Sequence, residues 1–171
     1  MRKFQIGITI FEFIVTVIII AVLSTIAIPH FKSILANLEA KKVNSTLHTL
    51  VRDSKHQAYT FKRRIGICGS SNGFNCENNS WSKKIIIFHD KNMNRILDSS
   101  EATLRAINLD LKYGELQWNG FNGSTLFFQP DTGLPRGSNG RFTYCSHSHN
   151  QHYKILVSMM GHSRTEKLQS C

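Results

Sequence analysis

Acidic residues are scarce in this 171-residue chain: 11 Asp and Glu stand against 21 Lys and Arg, a formal net charge of +10 with histidines neutral. That balance favours contact with phosphates, anionic lipid or acidic surfaces, and by itself names no partner. Cysteine is absent before Cys68. The four present, Cys68, Cys76, Cys145 and Cys171, all lie beyond the N-terminal apolar segment, as expected of a head that folds in an oxidising compartment such as the periplasm. Charge is missing from Ile8 to Ile28 apart from Glu12. Internal repeats and low-complexity linkers are absent too. With that N-terminal segment set aside, the length leaves room for one modest core, which excludes a two-domain enzyme. Ser, His and Asp occur throughout, but none stands in a nucleophile elbow or another catalytic context, so the sequence reads as non-enzymatic.

The run ITIFEFIVTVIIIAVLSTIAI, residues 8–28, is long and apolar enough to cross a bilayer as a helix. Arg2 and Lys3 precede it, so the positive-inside rule keeps the N-terminus cytoplasmic and sends the remainder outward. Glu12 needs a reason, because a carboxylate within hydrocarbon costs at least ~2.5 kcal/mol and usually marks function; the alternative is a carboxylate near enough to the interface to stay wet. Small residues between Leu23 and Ala27 imitate an ordinary signal-peptidase site, whereas Gly7 offers a cleavage point before the apolar run. Beyond Pro29, which removes one backbone hydrogen bond and predicts a bend, Ala36, Ala40, Val43, Leu47, Leu50, Val51 and Ala58 recur at steps of three and four. Residues 29–58 therefore read as an amphipathic helix whose apolar stripe packs on a head domain.

From residue 59 to 171 the composition turns to Gly, Asn and Ser around short β-prone runs at Ile85–Phe88, Thr125–Phe128, Arg141–Tyr144 and Tyr153–Val157. The turn-rich QPDTGLPRGSNG between the second and third reads as a hairpin connection. The expected class is α+β: a ladle made of one long helix, transmembrane in its first half and amphipathic in its second, packed on an antiparallel β-sheet head. Four cysteines permit three pairings. The ready closure of short loops favours Cys68 with Cys76 and Cys145 with Cys171.

Three constellations carry candidate chemistry. Asp90, Asn92, Asn94, Asp98 and Glu101 occupy positions 1, 3, 5, 9 and 12 of a calcium loop, with the Ile96 carbonyl at 7, although Arg95 stands where the sharp turn wants glycine. An Asn-rich turn using the same residues for local bonds to the backbone is the alternative. His147, His149 and His152 form H-x-H-x-x-H without an evident fourth metal ligand. Finally, His162, Arg164 and Lys167, with Lys154, Arg136 and Arg141, form a basic set able to hold phosphates or to be a solvated basic tail.

The Gly7–Ile8 junction, Glu12 at the fifth position after it and Pro29 at the twenty-second resemble the class III leader and N-terminal helix of type IV pilins and pseudopilins. The cysteine spacing, IIIFHDKNMN, FFQPDTGLP, GRFTYC and ILVSMMGHSR extend the resemblance to the minor pilins FimU and FimT and the minor pseudopilin GspH. The resemblance implies a leader of residues 1–7 cut by prepilin peptidase and a methylated Ile8. It implies that Glu12 pairs with the terminal amine of a neighbouring subunit. It also implies an inner-membrane protein with a periplasmic head that later enters a filament with other major and minor pilins. The expected role is a structural minor pilin of the initiation or tip complex. The alternatives are a DNA receptor for natural transformation, reading no particular sequence, and a minor pseudopilin of type II secretion. Gly161 and Arg164 match a GRxR motif by which FimT-type pilins hold DNA, with His162 where the first arginine would stand.

Overall fold

The computed structural model describes residues 9–147 and 151–171; Gly7, Ile8 and His149 lie outside them. One helix, α1 (Ile10–Phe61), is followed by eight strands: β1 (Ile65–Ser70), β2 (Lys84–His89), β3 (Thr103–Asn108), β4 (Gly114–Gly120), β5 (Leu126–Phe128), β6 (Gly140–Ser146), β7 (Tyr153–Val157) and β8 (Ser163–Lys167). The chain divides into two compact units, one ending at Leu35 and one running from Ala36 to Cys171.

In the first unit a capping box opens α1. The Glu12 N–H donates to Thr9 Oγ1 at 3.3 Å, while Glu12 Oε2 accepts the Thr9 N–H at 2.9 Å and its hydroxyl at 3.0 Å. These reciprocal bonds satisfy amides that the first helical turn leaves without partners. The helix continues through Pro29, and its most apolar stretch has a mean hydropathy of 2.6 with none of it buried. Among the described residues it is the one helix long and apolar enough to cross a membrane.

In the second unit α1 buries Ala36, Ala40, Val43, Leu47, Leu50, Val51, Ser54 and Ala58, a single stripe at helical spacing. The helix stops at Phe61 because Lys62 turns left-handed (φ 51°), letting the Arg63 N–H reach back to the Ala58 carbonyl at 3.1 Å. The strands make two four-stranded antiparallel sheets, ordered β3-β2-β1-β5 and β4-β6-β7-β8, rather than one sheet. The turn-rich segment after β5 is thus no hairpin: it carries the chain from the first sheet to the second.

Both sheets feed one core with the helix stripe. Ile65, Ile67, Ile85, Ile87, Leu126 and Phe128 come from the first sheet, and Leu116, Trp118, Phe142, Tyr144, Tyr153, Ile155 and Val157 from the second. Trp81 sits among them, its ring 5.2 Å from Phe142 and 6.2 Å from Trp118. A smaller cluster of Cys68, Ile86, Phe88 and Phe127 covers the other face of the first sheet, which is why the run Ile85–Phe88 is apolar without alternation. Gly66 is required there: a Cβ would stand 2.4 Å from the Phe88 ring.

Cys68 is bonded to Cys76 and Cys145 to Cys171. Glu77 ties the first of these loops together, accepting the Ser71 and Ser80 hydroxyls at 2.6 Å each. The Ser71 bond leads the causes that hold this carboxyl below its usual range.

Candidate functional site: a basic groove on the outer face of the second sheet

Strand alternation decides which charged residues share a surface. In β6 and β7, Phe142, Tyr144, Tyr153, Ile155 and Val157 point into the core, so Arg141, Thr143, Lys154 and Leu156 point out. Register then sets Asn119, Arg141, Leu156 and Arg164 side by side across β4, β6, β7 and β8. The next outward row is Gln117, Thr143, Lys154 and Glu166. The first row, with Phe121, Asn139, Ser158 and His162, lines an open groove of about 740 Å³ that no Asp or Glu lines.

Each member has a local cause. The β7–β8 turn closes through Ser158 N–H to His162 O and Gly161 N–H to Ser158 O, both 2.9 Å, with Gly161 at φ 70°, and this places His162 on the rim. Phe121, 85% exposed, is fixed by its N–H to the Asn139 carbonyl at 2.9 Å. Phe121 has no ring or cation partner among the described residues, and an aromatic ring left in water is a surface on which another ring can stack.

The electrostatics are uneven. Glu166 takes Lys154 Nζ at 3.0 Å and Arg164 Nη2 at 2.9 Å. The Lys154 hydrogen bond, ahead of the Arg164 charge, holds this carboxyl below its usual range. One acid therefore offsets part of two cations, whereas Arg141 has no acidic partner among the described residues.

The residues read from the sequence as a basic set thus separate. Arg164 and His162 line the groove, Lys154 lies beside it in its ion pair, and Lys167 faces the opposite way, opposite Tyr153. Lys167 lines a different cavity, with Asn44 and Thr165. Arg136 is not among the groove residues. The inward face of β8 is stitched to the helix: His48 lies 2.6 Å from Ser163 Oγ and 2.8 Å from Thr165 Oγ1, and Asn44 donates to Thr165 at 2.9 Å. Asn119, Asn139 and Phe121 are members the sequence reading missed. The signal was there in the odd and even positions of GRFTYC and SRTEK, but only pairing register turns it into a surface.

Elsewhere, ligand atoms of Cys145, His152 and Cys171 converge, with His152 Nδ1 3.1 Å from Cys171 Sγ, but both sulfurs are joined in the disulfide. His147 lies 3.9 Å from Glu115 instead.

A bare apolar helical span, a helix whose second part forms the core of its own head, and antiparallel sheets around that core define the pilin-like class. The Type II transport protein GspH family model matches residues 45–161. The chain belongs to that family of structural, membrane-anchored pilin-like subunits, whose members assemble with other pilins. The fold is also similar to two crystal structures of the Pseudomonas aeruginosa type IV minor pilin FimU. One is 15% identical with a TM-score of 0.53, covering 84% of this chain and 99% of that one. The other is 16% identical with a TM-score of 0.50, covering 79% and 98%. No curated protein matches the sequence significantly.

Proposed function

We propose that this chain is a minor pilin of a type IV pilus, held in the inner membrane by residues 8–28 with its head in the periplasm, and then drawn into the filament as a structural subunit of the initiation or tip complex. The observation that carries the reading is the apolar helix: among the described residues, Ile10 to Ile28 exposes Phe11, Phe13, Ile14, Ile18, Ile19 and Leu23. Fully burying a side chain of this size is worth about 1.5–3 kcal/mol, so the span requires first lipid and then neighbouring helices. Recovery of the chain from sheared surface filaments tests the proposal; its absence there, with impaired type II secretion in its place, assigns it to a pseudopilus.

The groove supports a second, additional role in holding DNA at the filament surface. Arg141 and Arg164 supply cations, His162 a ring nitrogen and Phe121 a stacking face, a set that suits phosphates and bases of any sequence, so binding is expected to be weak, sequence-indifferent and strongly salt-dependent. Arg141→Ala with Arg164→Ala is expected to lower retention of labelled DNA at least roughly tenfold at low salt. Glu166→Gln, which releases Lys154 and Arg164, is expected to raise it. Retention unchanged in all these variants would remove the groove from any role with nucleic acid.

A further inference from the structure

The connection from β2 to β3 carries an unsatisfied group of its own. Asp90 is 1% exposed, and its N–H donates to the Arg64 carbonyl at 3.0 Å. The side chain is turned toward the loop: Oδ2 accepts the Arg95 N–H at 3.1 Å and lies 3.6 Å from Arg64 Nε. Oδ1 is buried and has no hydrogen-bond partner among the described residues. A buried carboxylate oxygen without a donor is costly, and such groups are uncommon unless something else satisfies them. Arg64 answers only part of that need: its Nε stands 3.6 Å from Oδ2 and makes no hydrogen bond, Nη1 is committed to the Met93 carbonyl at 2.9 Å, and the guanidinium lies over the Phe127 ring.

The other polar groups of the same loop are bonded among themselves. Glu101 folds back across it, accepting the Lys91 N–H on Oε1 at 2.7 Å and the Asp98 N–H on Oε2 at 3.3 Å. Asn92 and Asn94 each donate a side-chain N–H to Asp98 Oδ2, at 2.7 and 2.8 Å, while their own Oδ1 atoms accept the Asn94 and Ile96 N–H groups at 3.1 and 2.8 Å. The objection from sequence, that the sixth position lacks glycine, is met by the backbone: Arg95 adopts φ 70°, and its guanidinium lies 6.0 Å over the Phe127 ring. We infer that this loop is a calcium site, with Asp90 ligating through its free Oδ1 while Oδ2 keeps the Arg95 amide, and with Asn92, Asn94, the Ile96 carbonyl, Asp98 and Glu101 supplying the other oxygens. Dividing the first carboxylate between metal and loop amide suits a flexible, many-oxygen shell, which calcium accepts and magnesium does not. With two amides in place of carboxylates and two arginines close by, affinity belongs in the range of extracellular modules, about 0.1–1 mM. Bound calcium would fix the approach to β3, an edge strand that is exposed along most of its length.

The test uses the full chain in detergent micelles, with equilibrium dialysis against calcium chloride and thermal melting with and without about 5 mM of the salt. The expected result is one calcium per chain and a melting temperature raised by roughly 3–6 °C. Magnesium at the same concentration is expected to give no such rise. Glu101→Gln and Asp98→Ala, each compared with its own melt in chelator, are expected to bind calcium at least tenfold more weakly and to lose the rise. No bound calcium up to about 10 mM, an equal rise with magnesium, or a rise that survives in both variants would overturn the assignment.

Discussion

Glu12→Gln is expected to leave the chain in the membrane and out of the filament. The substitution separates two roles of one side chain. As the N3 residue of a capping box, Glu12 bonds Thr9, and glutamine serves equally well at that position. As the lone charge of an apolar span, it costs at least ~2.5 kcal/mol in lipid, and the proposed compensation is the terminal amine of a neighbouring subunit. Glutamine keeps the cap, eases insertion and removes that attraction. Membrane fractionation is therefore expected to show normal insertion, and sheared filaments at least roughly tenfold less of the variant, since even 1.4 kcal/mol of lost attraction is tenfold in an equilibrium. Should Glu12→Gln incorporate normally while Thr9→Ala and Glu12→Ala both fail, the carboxylate is a helix cap and nothing more.

Glu39→Ala is expected to be the most damaging change on the polar side of the helix stripe. The Glu39 carboxylate accepts the Lys112 N–H at 2.8 Å, the Tyr113 N–H at 3.0 Å and the Tyr144 hydroxyl at 3.1 Å. It thereby pins the loop before β4 to the helix. Burial, with the nearby Glu39 charge second, pushes the Tyr144 hydroxyl up, so it stays a donor at any physiological pH. Its ring stacks on Tyr153 at 4.9 Å, and the Tyr153 hydroxyl donates to the Ala40 carbonyl at 2.9 Å, so the clamp is shared by successive helix residues. Hydrogen bonds to a charged group contribute about 1.5–3 kcal/mol each, and Glu39 is half-buried, so the low end applies and the total is about 4 kcal/mol. Thermal melting is expected to fall by roughly 10–15 °C, and Glu39→Gln, which keeps one acceptor oxygen, to fall less. A loss below about 1 kcal/mol in the alanine variant would contradict the clamp.

The helix was legible because its chemistry is periodic: Ala36, Ala40, Val43, Leu47, Leu50, Val51 and Ala58 repeat at helical spacing, and the structure buries all of them. β2, β5, β6 and β7 are legible as short β-prone runs. β1, β3, β4 and β8 are not, for reasons that differ. β1, IGICGS, is a glycine-containing strand buried on both faces, while TLRAIN and SRTEK are edge strands with little to bury. Two sheets could not be told from one, since strand pairing is set by contacts far apart in the chain. The basic set failed in the same way. Arg164 and Lys167 look like neighbours, yet three residues along a strand is an odd step and sends them to opposite faces. Arg141 and Arg164 look unrelated, yet Leu156 alone separates them across the sheet. Glu39 is not legible in the sequence, because a glutamate beside an apolar stripe usually faces water and nothing local reveals that two distant amides await it. The Thr9–Glu12 cap is written in T-x-x-E, at the same position where the apolar span carries its one charge, so the two roles of that carboxylate overlap in the sequence.

The most direct test of the minor-pilin account is mass spectrometry of this chain recovered from sheared surface filaments. The account predicts that it is present and begins at Ile8, with a methylated terminal amine. A mature chain beginning after Ala27, or one that keeps residues 1–7 and never reaches the filament fraction, would contradict it.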